Sequence, residues 1–332
     1  FFFKQKTAYE IPKRDWSSDV CSSDLQQMVT EAEILRQQMG WCDDDTKFIL
    51  GDKEISETET RYSPPSETTH SVAQWLHTIG DLAEWQQVLK VYDRPGFEPH
   101  AFGVLTALGA PLMKFTHYKG AFINLINSES GTGKTTILRV INSFYGHPTE
   151  LLSKESDTLA HKLFRLGVLN TLPFTADELT NMKPDAISTL LYSISQGMGP
   201  GRMQSQMNAE RKNDTTWSTM GIGSSNASMV ETLATFKTAA AGEVMRLLEY
   251  RINANGLLDK QEAYDLFELK LNKNYGMAGI AYLQWVVANP NQTKKLLNDI
   301  QKFIDEKCNF SNKDRYWSAV IACNITGAII AK

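Results

Sequence analysis

The sequence of 332 residues has few cysteines and no excess of positive charge. Its four cysteines are scattered and include no C-x-x-C pair, which argues against a zinc site or a disulfide framework and favours a reducing, cytoplasmic setting. Lys and Arg number 34 against 38 Asp and Glu, which gives a net charge of -4. A broadly basic nucleic-acid-binding surface is therefore excluded, and any contact with nucleic acid has to be local.

Long apolar runs and paired histidines are absent as well. No stretch approaches the ~18 apolar residues that a membrane span requires, so we expect no membrane partner. The six histidines include no H-E-x-x-H and no paired spacing, and none is expected to bind a metal. The hydrophobic fraction of 42% is typical of globular chains, and the length predicts one large or two modest domains.

The first 25 residues do not have the pattern of a natural amino terminus. They lack the apolar stretch of about 7–15 residues and the cleavage site of a secretion signal. Two strings, KQKTAYEI (Lys4 to Ile11) and DWSSDVCSSDL (Asp15 to Leu25), resemble translated sequencing-library adapters. We expect residues 1–25 to be an adapter-derived artefact and disordered, with the native sequence starting near Gln26.

Apolar spacing and turn residues divide the rest of the chain into four segments. The predicted segments are residues 26–70, with a small hairpin that turns at Gly51-Asp52 and a linker; residues 71–118, a helical collar; residues 119–255, the core that carries the chemistry; and residues 256–332, a C-terminal helical region that we expect to be truncated.

A glycine-rich loop in the core lies between a predicted strand, Ala121–Ile126, and a helical stretch that ends at Gly146. In a phosphate-binding loop, backbone N–H groups and the helix dipole hold the phosphates, a lysine reaches the β- and γ-phosphates, and the next hydroxyl binds Mg²⁺. The loop therefore predicts binding of ATP and Mg²⁺ by Ser130, Gly131, Thr132, Gly133, Lys134, Thr135 and Thr136. Ser128 stands where the usual pattern has glycine, and a glycine-rich turn without a ligand is the alternative.

Two carboxylates follow the next predicted strand, Thr171–Ala176, which comes after a helix predicted over Ser156–Leu166. An acidic residue at the carboxyl end of a buried strand can hold Mg²⁺, and a second can orient and deprotonate the attacking water. We expect Asp177 to take the first role and Glu178 the second. A pair that caps the start of a helix is the alternative.

A third predicted strand, Trp217–Asn226, ends in a polar residue suited to sensing the γ-phosphate. Asn226 is the predicted catalytic residue here, and helix capping ahead of Met229 is the alternative. Farther on, Arg246 and Arg251 offer a guanidinium that neutralises charge in the transition state, which in ring ATPases comes from the neighbouring subunit. An ion pair with Glu243 or Glu249 is the alternative use of either arginine.

A basic, polar insertion separates the second and third strands. A glycine-rich loop runs from Ser195 to Arg202, and a predicted hairpin follows with Arg211 and Lys212 near its tip. Such loops can grip a phosphate backbone without a basic exterior. We expect DNA contacts at Arg202, Arg211 and Lys212, with a solvated hairpin as the alternative.

In order, these motifs are strand–SGTGKTT, strand–DE, basic hairpin, strand–SSN and GEVMR. This order resembles phage, plasmid and mobile-element primase-helicase ATPases related to superfamily-three helicases, and more narrowly the family named domain of unknown function 927. The similar stretches are MGW from Met39 to Trp41 with the hairpin after it, the collar residues Trp85, Pro95, Gly96, Glu98 and Pro99, the loop NSESGTGKTT, the string YGHP from Tyr145 to Pro148, and AGEVMRLLEY from Ala241 to Tyr250.

The resemblance implies an α/β P-loop NTPase of AAA+-like fold with a parallel sheet core. It also implies a hexameric ring and ATP-driven movement on single-stranded DNA. The roles that it carries over are those of Lys134, Thr135, Asp177, Glu178 and Asn226, with Arg246 as a finger acting in the neighbouring subunit. No primase motif is visible, so a primase domain would lie upstream in the complete protein.

The function expected is an ATP-dependent DNA helicase or translocase of phage or mobile-element replication, working in the host cytosol. The alternative is a nucleotide-gated DNA-binding or loading module with little unwinding. A metabolite kinase is disfavoured because the sequence offers no motif for a second substrate.

Overall fold

The computed structural model describes residues 35–42, 44–199, 201–203, 210–211, 215–236, 240–253 and 258–332. The residues of Arg36–Lys332 form one compact unit. The predictions for residues 1–25, and for Lys212, lie outside the described residues. The four segment boundaries drawn from the sequence stay predictions.

A small antiparallel sheet opens the described chain, with strands β1 (Gly40–Cys42), β2 (Lys47–Leu50), β3 (Lys53–Ile55) and β4 (Thr60–Tyr62) in that order. Strands β2 and β3 are joined by a tight turn at Gly51, whose φ of 62° is left-handed and favours glycine. Trp41 packs edge-on against Phe48, and its Nε1 donates to the carbonyl of Pro111 at 2.9 Å. This buried hydrogen bond fixes the small sheet to the collar.

The collar consists of short helices and 3-10 turns. The helices are Glu67–Ala73, which begins just before it, Leu82–Leu89, Glu98–Val104 and Thr106–Gly109, and the 3-10 turns are Lys90–Asp93 and Ala110–Phe115. Asp81 caps the second helix by accepting from the N–H of Ala83 at 2.8 Å. Trp85 packs edge-on against Phe144, and its Nε1 donates to Ser143 Oγ at 2.9 Å. The collar therefore packs against the end of the helix that follows the glycine-rich loop.

The central sheet is parallel, as predicted, with strand order β10-β5-β9-β6. The remaining strands are β5 (Gly120–Ile126), β6 (Phe174–Ala176), a two-stranded hairpin of β7 (Arg202–Met203) and β8 (Glu210–Arg211), β9 (Thr219–Ser225) and β10 (Leu247–Arg251). Every residue of β9, and every residue of β5 except Ile126, is buried, as in parallel strands covered on both faces. Parallel strands bring their carboxyl ends to one edge, where ligands of α/β sheets bind.

Helices connect these strands. They are Lys134–Ser143, Leu159–Leu169, Pro184–Gln196, Met229–Phe236 and Ala241–Val244. Ser153 extends the sheet by a parallel bridge to Ala176. The preceding residues are held by Arg165, which is buried and donates to the carbonyls of Leu152 at 3.2 Å and Glu150 at 2.7 Å. The edge of the sheet beside β6 is thus fixed by hydrogen bonds from a neighbouring helix.

A second group of helices ends the chain. They are Lys260–Ala263, the π-helical turn Tyr264–Lys270, the 3-10 turn Leu271–Lys273, and the helices Met277–Ala288, Pro290–Cys308 and Arg315–Ile330. Arg139 connects the helix after the glycine-rich loop to this group, because its guanidinium donates to the carbonyl of Phe267 at 2.9 Å and pairs with Glu268. Among the described residues, each helix is too short or too polar to cross a membrane.

Candidate nucleotide-binding site

The glycine-rich loop joins the carboxyl end of β5 to a helix that begins at Lys134. Gly131 and Gly133 have left-handed φ angles of 76° and 89°, which glycine adopts without steric penalty. Ser128 is not among the residues of left-handed φ, so a side chain is tolerated where the usual pattern has glycine. The backbone N–H groups of the first helical turn have no partner within the helix and are available to an anion.

Lys134 extends back across this loop and is 8% exposed. Its Nζ donates to Asn226 Oδ1 at 2.9 Å, to the carbonyl of Glu129 at 3.3 Å and to the carbonyl of Asn127. Burial lowers the pKa of Lys134, and the charges of Glu178 and Asp177 oppose that shift. The ammonium group therefore lies between the loop and the ends of the neighbouring strands.

Asp177 lies directly after β6 and beside the first turn of the loop helix. Its Oδ1 accepts from Thr135 Oγ1 at 3.1 Å and also from Ser224 Oγ. A hydroxyl and a carboxylate side by side fit Mg²⁺, which prefers oxygen ligands and takes its others from phosphates and water. The Thr135 hydroxyl and the Asp177 carboxylate are therefore the candidate protein ligands. Among the described residues, no group of three or more His, Cys, Asp or Glu side chains is arranged for a metal.

Glu178 has a φ of 52°, which is uncommon for a residue other than glycine. Its backbone N–H donates to Ser224 Oγ at 3.1 Å, and its carboxylate accepts from Asn226 Nδ2 at 3.3 and 3.4 Å. Unusual backbone conformations persist where the surrounding structure holds them, and they cluster at functional sites. The next helix begins only at Pro184, so Asp177 and Glu178 do not cap it.

Asn226 follows β9 and contacts both Lys134 and Glu178 through its side chain. Its backbone N–H donates to Thr180 Oγ1 at 2.7 Å. The helix that starts at Met229 receives its caps elsewhere, because Ser228 Oγ accepts from a first-turn N–H and the Glu249 carboxylate accepts from the Met229 N–H at 2.9 Å. Asn226 therefore does not cap this helix, which was the alternative that the sequence left open.

The sequence interpretation missed Ser224, whose hydroxyl binds both Asp177 and the Glu178 N–H. Alternation along β9 could have indicated it, because residues two apart in a strand share a face and Asn226 is two positions later. The interpretation also missed His100, whose Nε2 lies 3.0 Å from the carbonyl of Thr132 in the loop. Nothing in the local sequence around His100 indicates this long-range contact.

The two candidate arginines lie at opposite ends of β10. Arg251 pairs with Ile126 at the carboxyl edge, whereas Arg246 precedes the strand at the amino edge, about 16 Å away at the usual rise per residue. Arg246 Nε donates to Ser195 Oγ at 2.7 Å, and its guanidinium lies 4.7 Å from the Tyr192 ring centroid. Among the described residues, Arg246 is held by these contacts and not by an ion pair with Glu243 or Glu249.

Strands β7 and β8 pair antiparallel, as the predicted hairpin requires. The register pairs Arg211 with Arg202 and Met203 with Glu210, and residues 204–209 lie outside the described residues. Two arginines therefore occupy opposite positions of the hairpin. Lys212 and the side chains of both arginines lie outside the described part of the structure.

The chain matches the family described as domain of unknown function DUF927 over residues 17–215, and it belongs to that family. The matched range begins within residues 1–25, whose adapter origin stays a prediction. A comparison with curated protein sequences finds no significant match.

A solved structure shows the fold. The structure described as "SCCmec type IV Cch - active helicase" is similar with a TM-score of 0.67 and 19% identity, over 93% of this chain. This chain spans 58% of the length of that structure. The NrS-1 C-terminal region has a TM-score of 0.34 and 12% identity, covering 91% of this chain and 81% of that one. The fold is therefore shared with a helicase, and the mixed α/β prediction is confirmed.

Proposed function

We propose that this chain is the ATP-hydrolysing segment of a DNA helicase or translocase that replicates a phage or mobile element. The observation that carries the proposal is the hydrogen-bonded connection of Lys134, Asn226 and Glu178 at the carboxyl edge of the sheet, beside the glycine-rich loop. A phosphate-binding cation, a polar sensor and a carboxylate base are the groups that triphosphate hydrolysis requires. The fold shared with a helicase supports the same proposal.

Each residue has a defined role in the proposed reaction. Backbone N–H groups from Ser130 to Thr136 bind the phosphates, and Lys134 neutralises charge that develops on the γ-phosphate. Glu178 orients the attacking water and accepts its proton, while Asn226 fixes the distance between this carboxylate and Lys134. Thr135 and Asp177 would hold Mg²⁺, which supplies positive charge to the phosphate oxygens when bound.

The proposed partner is single-stranded DNA, gripped by the hairpin that carries Arg202 and Arg211. The register places these two residues opposite each other, and a few arginines brought together locally can bind a phosphate backbone. The proposed assembly is a homohexamer of AAA+ type in the host cytosol, with Arg246 serving the neighbouring subunit. A primase domain upstream in the complete protein belongs to the same proposal.

The test is ATP hydrolysis by the full chain, with and without single-stranded DNA, for the wild type, Lys134→Ala and Lys295→Ala. Lys295 is an exposed lysine on the helix Pro290–Cys308 and serves as the matched control. We expect DNA-stimulated hydrolysis by the wild type and the control, and its loss in Lys134→Ala. A folded wild type that binds ATP but does not hydrolyse it would contradict the enzymatic proposal.

A nucleotide-gated loading module is the second candidate. It is favoured by the bonds of Asn226 to both Glu178 and Lys134, since an amide linked to both groups can sense the γ-phosphate without any hydrolysis. Glu178→Gln distinguishes the two candidate functions, because the glutamine amide still offers an acceptor to Asn226 but cannot take a proton from water. A motor loses DNA movement in this variant, whereas a switch still assembles and loads on DNA when ATP is added.

A further inference from the structure

A collar residue is hydrogen-bonded to the phosphate loop. His100 lies on the helix Glu98–Val104, and its Nε2 is 3.0 Å from the carbonyl oxygen of Thr132. Both residues are buried, with His100 2% and Thr132 3% exposed. A carbonyl oxygen can only accept, so Nε2 carries the hydrogen and donates it. His100 therefore donates a hydrogen bond to the loop backbone at the residue immediately before Gly133.

This bond determines the orientation of a complete peptide unit. The peptide group is planar and trans, so the N–H of Gly133 is antiparallel to the C=O of Thr132. With that carbonyl held by His100, the Gly133 N–H faces away from the collar. Consecutive N–H groups of such loops are the donors that bind phosphate oxygens. One of these donors is thus oriented by a side chain from outside the loop.

Gly133 itself also packs against His100. A Cβ on Gly133 would lie 3.4 Å from both Cδ2 and Nε2 of His100, so the imidazole lies directly against this residue. Gly133 has a φ of 89°, a conformation that only glycine adopts without strain. The imidazole therefore covers one side of this peptide, and glycine permits the left-handed conformation found there.

The helix that carries His100 is itself fixed to the nucleotide-binding elements. Tyr250 of β10 donates its hydroxyl to the carbonyl of Pro99 at 3.0 Å, and its ring packs edge-on against Phe102. A Cβ on Gly103 would lie 3.0 Å from a methyl group of Ile137 on the loop helix. His100 is thus held in place by contacts on both sides of its helix.

We propose that His100 is a positioning residue through which the collar sets the affinity of the phosphate loop for nucleoside triphosphate. A shift of the collar helix that withdraws Nε2 frees the Thr132–Gly133 peptide to rotate and removes one phosphate donor. Binding of phosphate favours the oriented peptide and so holds the collar in place, since such coupling is reciprocal. The claim that His100 affects nucleotide affinity rests on the proposed function. The claim that His100 orients the Thr132–Gly133 peptide does not.

The test compares four full-length chains: the wild type, His100→Leu, His100→Gln and the control His77→Leu. His77 is also a collar histidine that bonds a backbone carbonyl, that of Gln74 at 2.8 Å, but it does not contact the loop. Two quantities are measured: amide hydrogen exchange across residues 127–136 without ligand, and the Kd for Mg-ADP by calorimetry.

We expect His100→Leu to bind ADP about tenfold more weakly and to exchange the loop amides about tenfold faster, because a buried carbonyl loses its donor. His100→Gln places an amide N–H near the position of Nε2 and should restore both quantities to within about threefold of the wild type. His77→Leu should leave both unchanged. Where the leucine variant does not fold, His100→Asn, whose amide is too short to reach Thr132, replaces it.

Unchanged exchange and unchanged affinity in folded His100→Leu would overturn the proposal, as would a failure of glutamine to restore them. A wild type that binds no nucleotide refutes the proposed function and the claim about affinity, and the exchange comparison still decides whether His100 orients the peptide. The two failures are therefore distinguishable.

Discussion

Asn226 Oδ1 accepts a hydrogen bond from Lys134 Nζ at 2.9 Å, although 92 positions separate the two residues in the chain. The Nδ2 of the same amide donates to the Glu178 carboxylate. One side chain thus contacts both the proposed phosphate-binding cation and the proposed base. Removing it separates two groups that hydrolysis needs at a fixed distance.

For Asn226→Ala we expect kcat for ATP hydrolysis to fall by about 10–100-fold, in the range for loss of one positioned donor. Nucleotide affinity should change by less than about threefold, because Lys134 keeps its loop contacts. Asn181→Ala is the control, since Asn181 lies near the site but bonds Glu155 at 2.9 Å. Steady-state kinetics and calorimetry measure the two quantities, and equal losses in both variants would contradict the assignment.

The position of Arg246 leads to a mixing experiment. Arg246 lies at the amino edge of the sheet, so it cannot serve the phosphate loop of its own chain as the protein stands. If it acts on a neighbour, Arg246→Ala and Lys134→Ala chains should each be inactive alone, and mixing them should restore part of the ATPase activity. Mixed rings bring an intact lysine beside an intact arginine. A mixture as inactive as its components would exclude the role in the neighbouring subunit.

Glu249 fixes the segment that follows Asn226. Its carboxylate accepts from Asn124 Nδ2 at 2.7 Å, from the Met229 N–H at 2.9 Å and from Ser228. Glu249→Ala leaves these donors without their acceptor, and we expect the free energy of unfolding to fall by about 2 kcal/mol. Glu231→Ala, on the exposed side of the same helix start, should change it by less than about 0.5 kcal/mol. Urea titration distinguishes the two, and similar losses would contradict the role of Glu249.

His100 gives the stability of the chain a pH dependence of known sign. Burial lowers the pKa of His100 below its usual 6.5, so the unfolded chain binds its proton first as the pH falls. The contribution of the neutral His100 side chain to the free energy of unfolding is complete above pH 6.5. It is lost as the pH falls from there toward the pKa of His100 in the folded state. We therefore expect His100→Gln to lose less stability than the wild type between about pH 7.5 and 5. Urea titrations at several pH values measure this, and parallel curves would contradict it.

Local signals in the sequence predict several of the elements around the candidate site. The apolar run before the glycine-rich loop predicts a strand over Ala121–Ile126, and β5 extends it by only Gly120. The predicted helix over Ser156–Leu166 is displaced to Leu159–Leu169, because Thr158 caps its start by accepting from the His161 N–H. Capping threonine is a signal that was available in the sequence.

Other features depend on contacts between distant segments and could not be read locally. The left-handed φ of Glu178 is held by Ser224, 46 positions later, and no residue beside Glu178 indicates it. The predicted strand Thr171–Ala176 is reduced to β6, Phe174–Ala176, because a turn follows the helix: Asn170 has a φ of 54° and the Leu172 N–H donates to the Leu169 carbonyl. The register that pairs Arg202 with Arg211 is a property of two short strands, and composition does not specify it.

The order of the central strands has a consequence for synthesis on the ribosome. Strand β5 lies between β9 and β10, which begin only at Thr219 and Leu247. Until both have emerged, the nascent chain carries an apolar strand with two open edges, a species prone to aggregation. Such long-range pairing also slows folding. Chaperone engagement and misfolding during translation should therefore be concentrated between the emergence of Ile126 and that of Arg251.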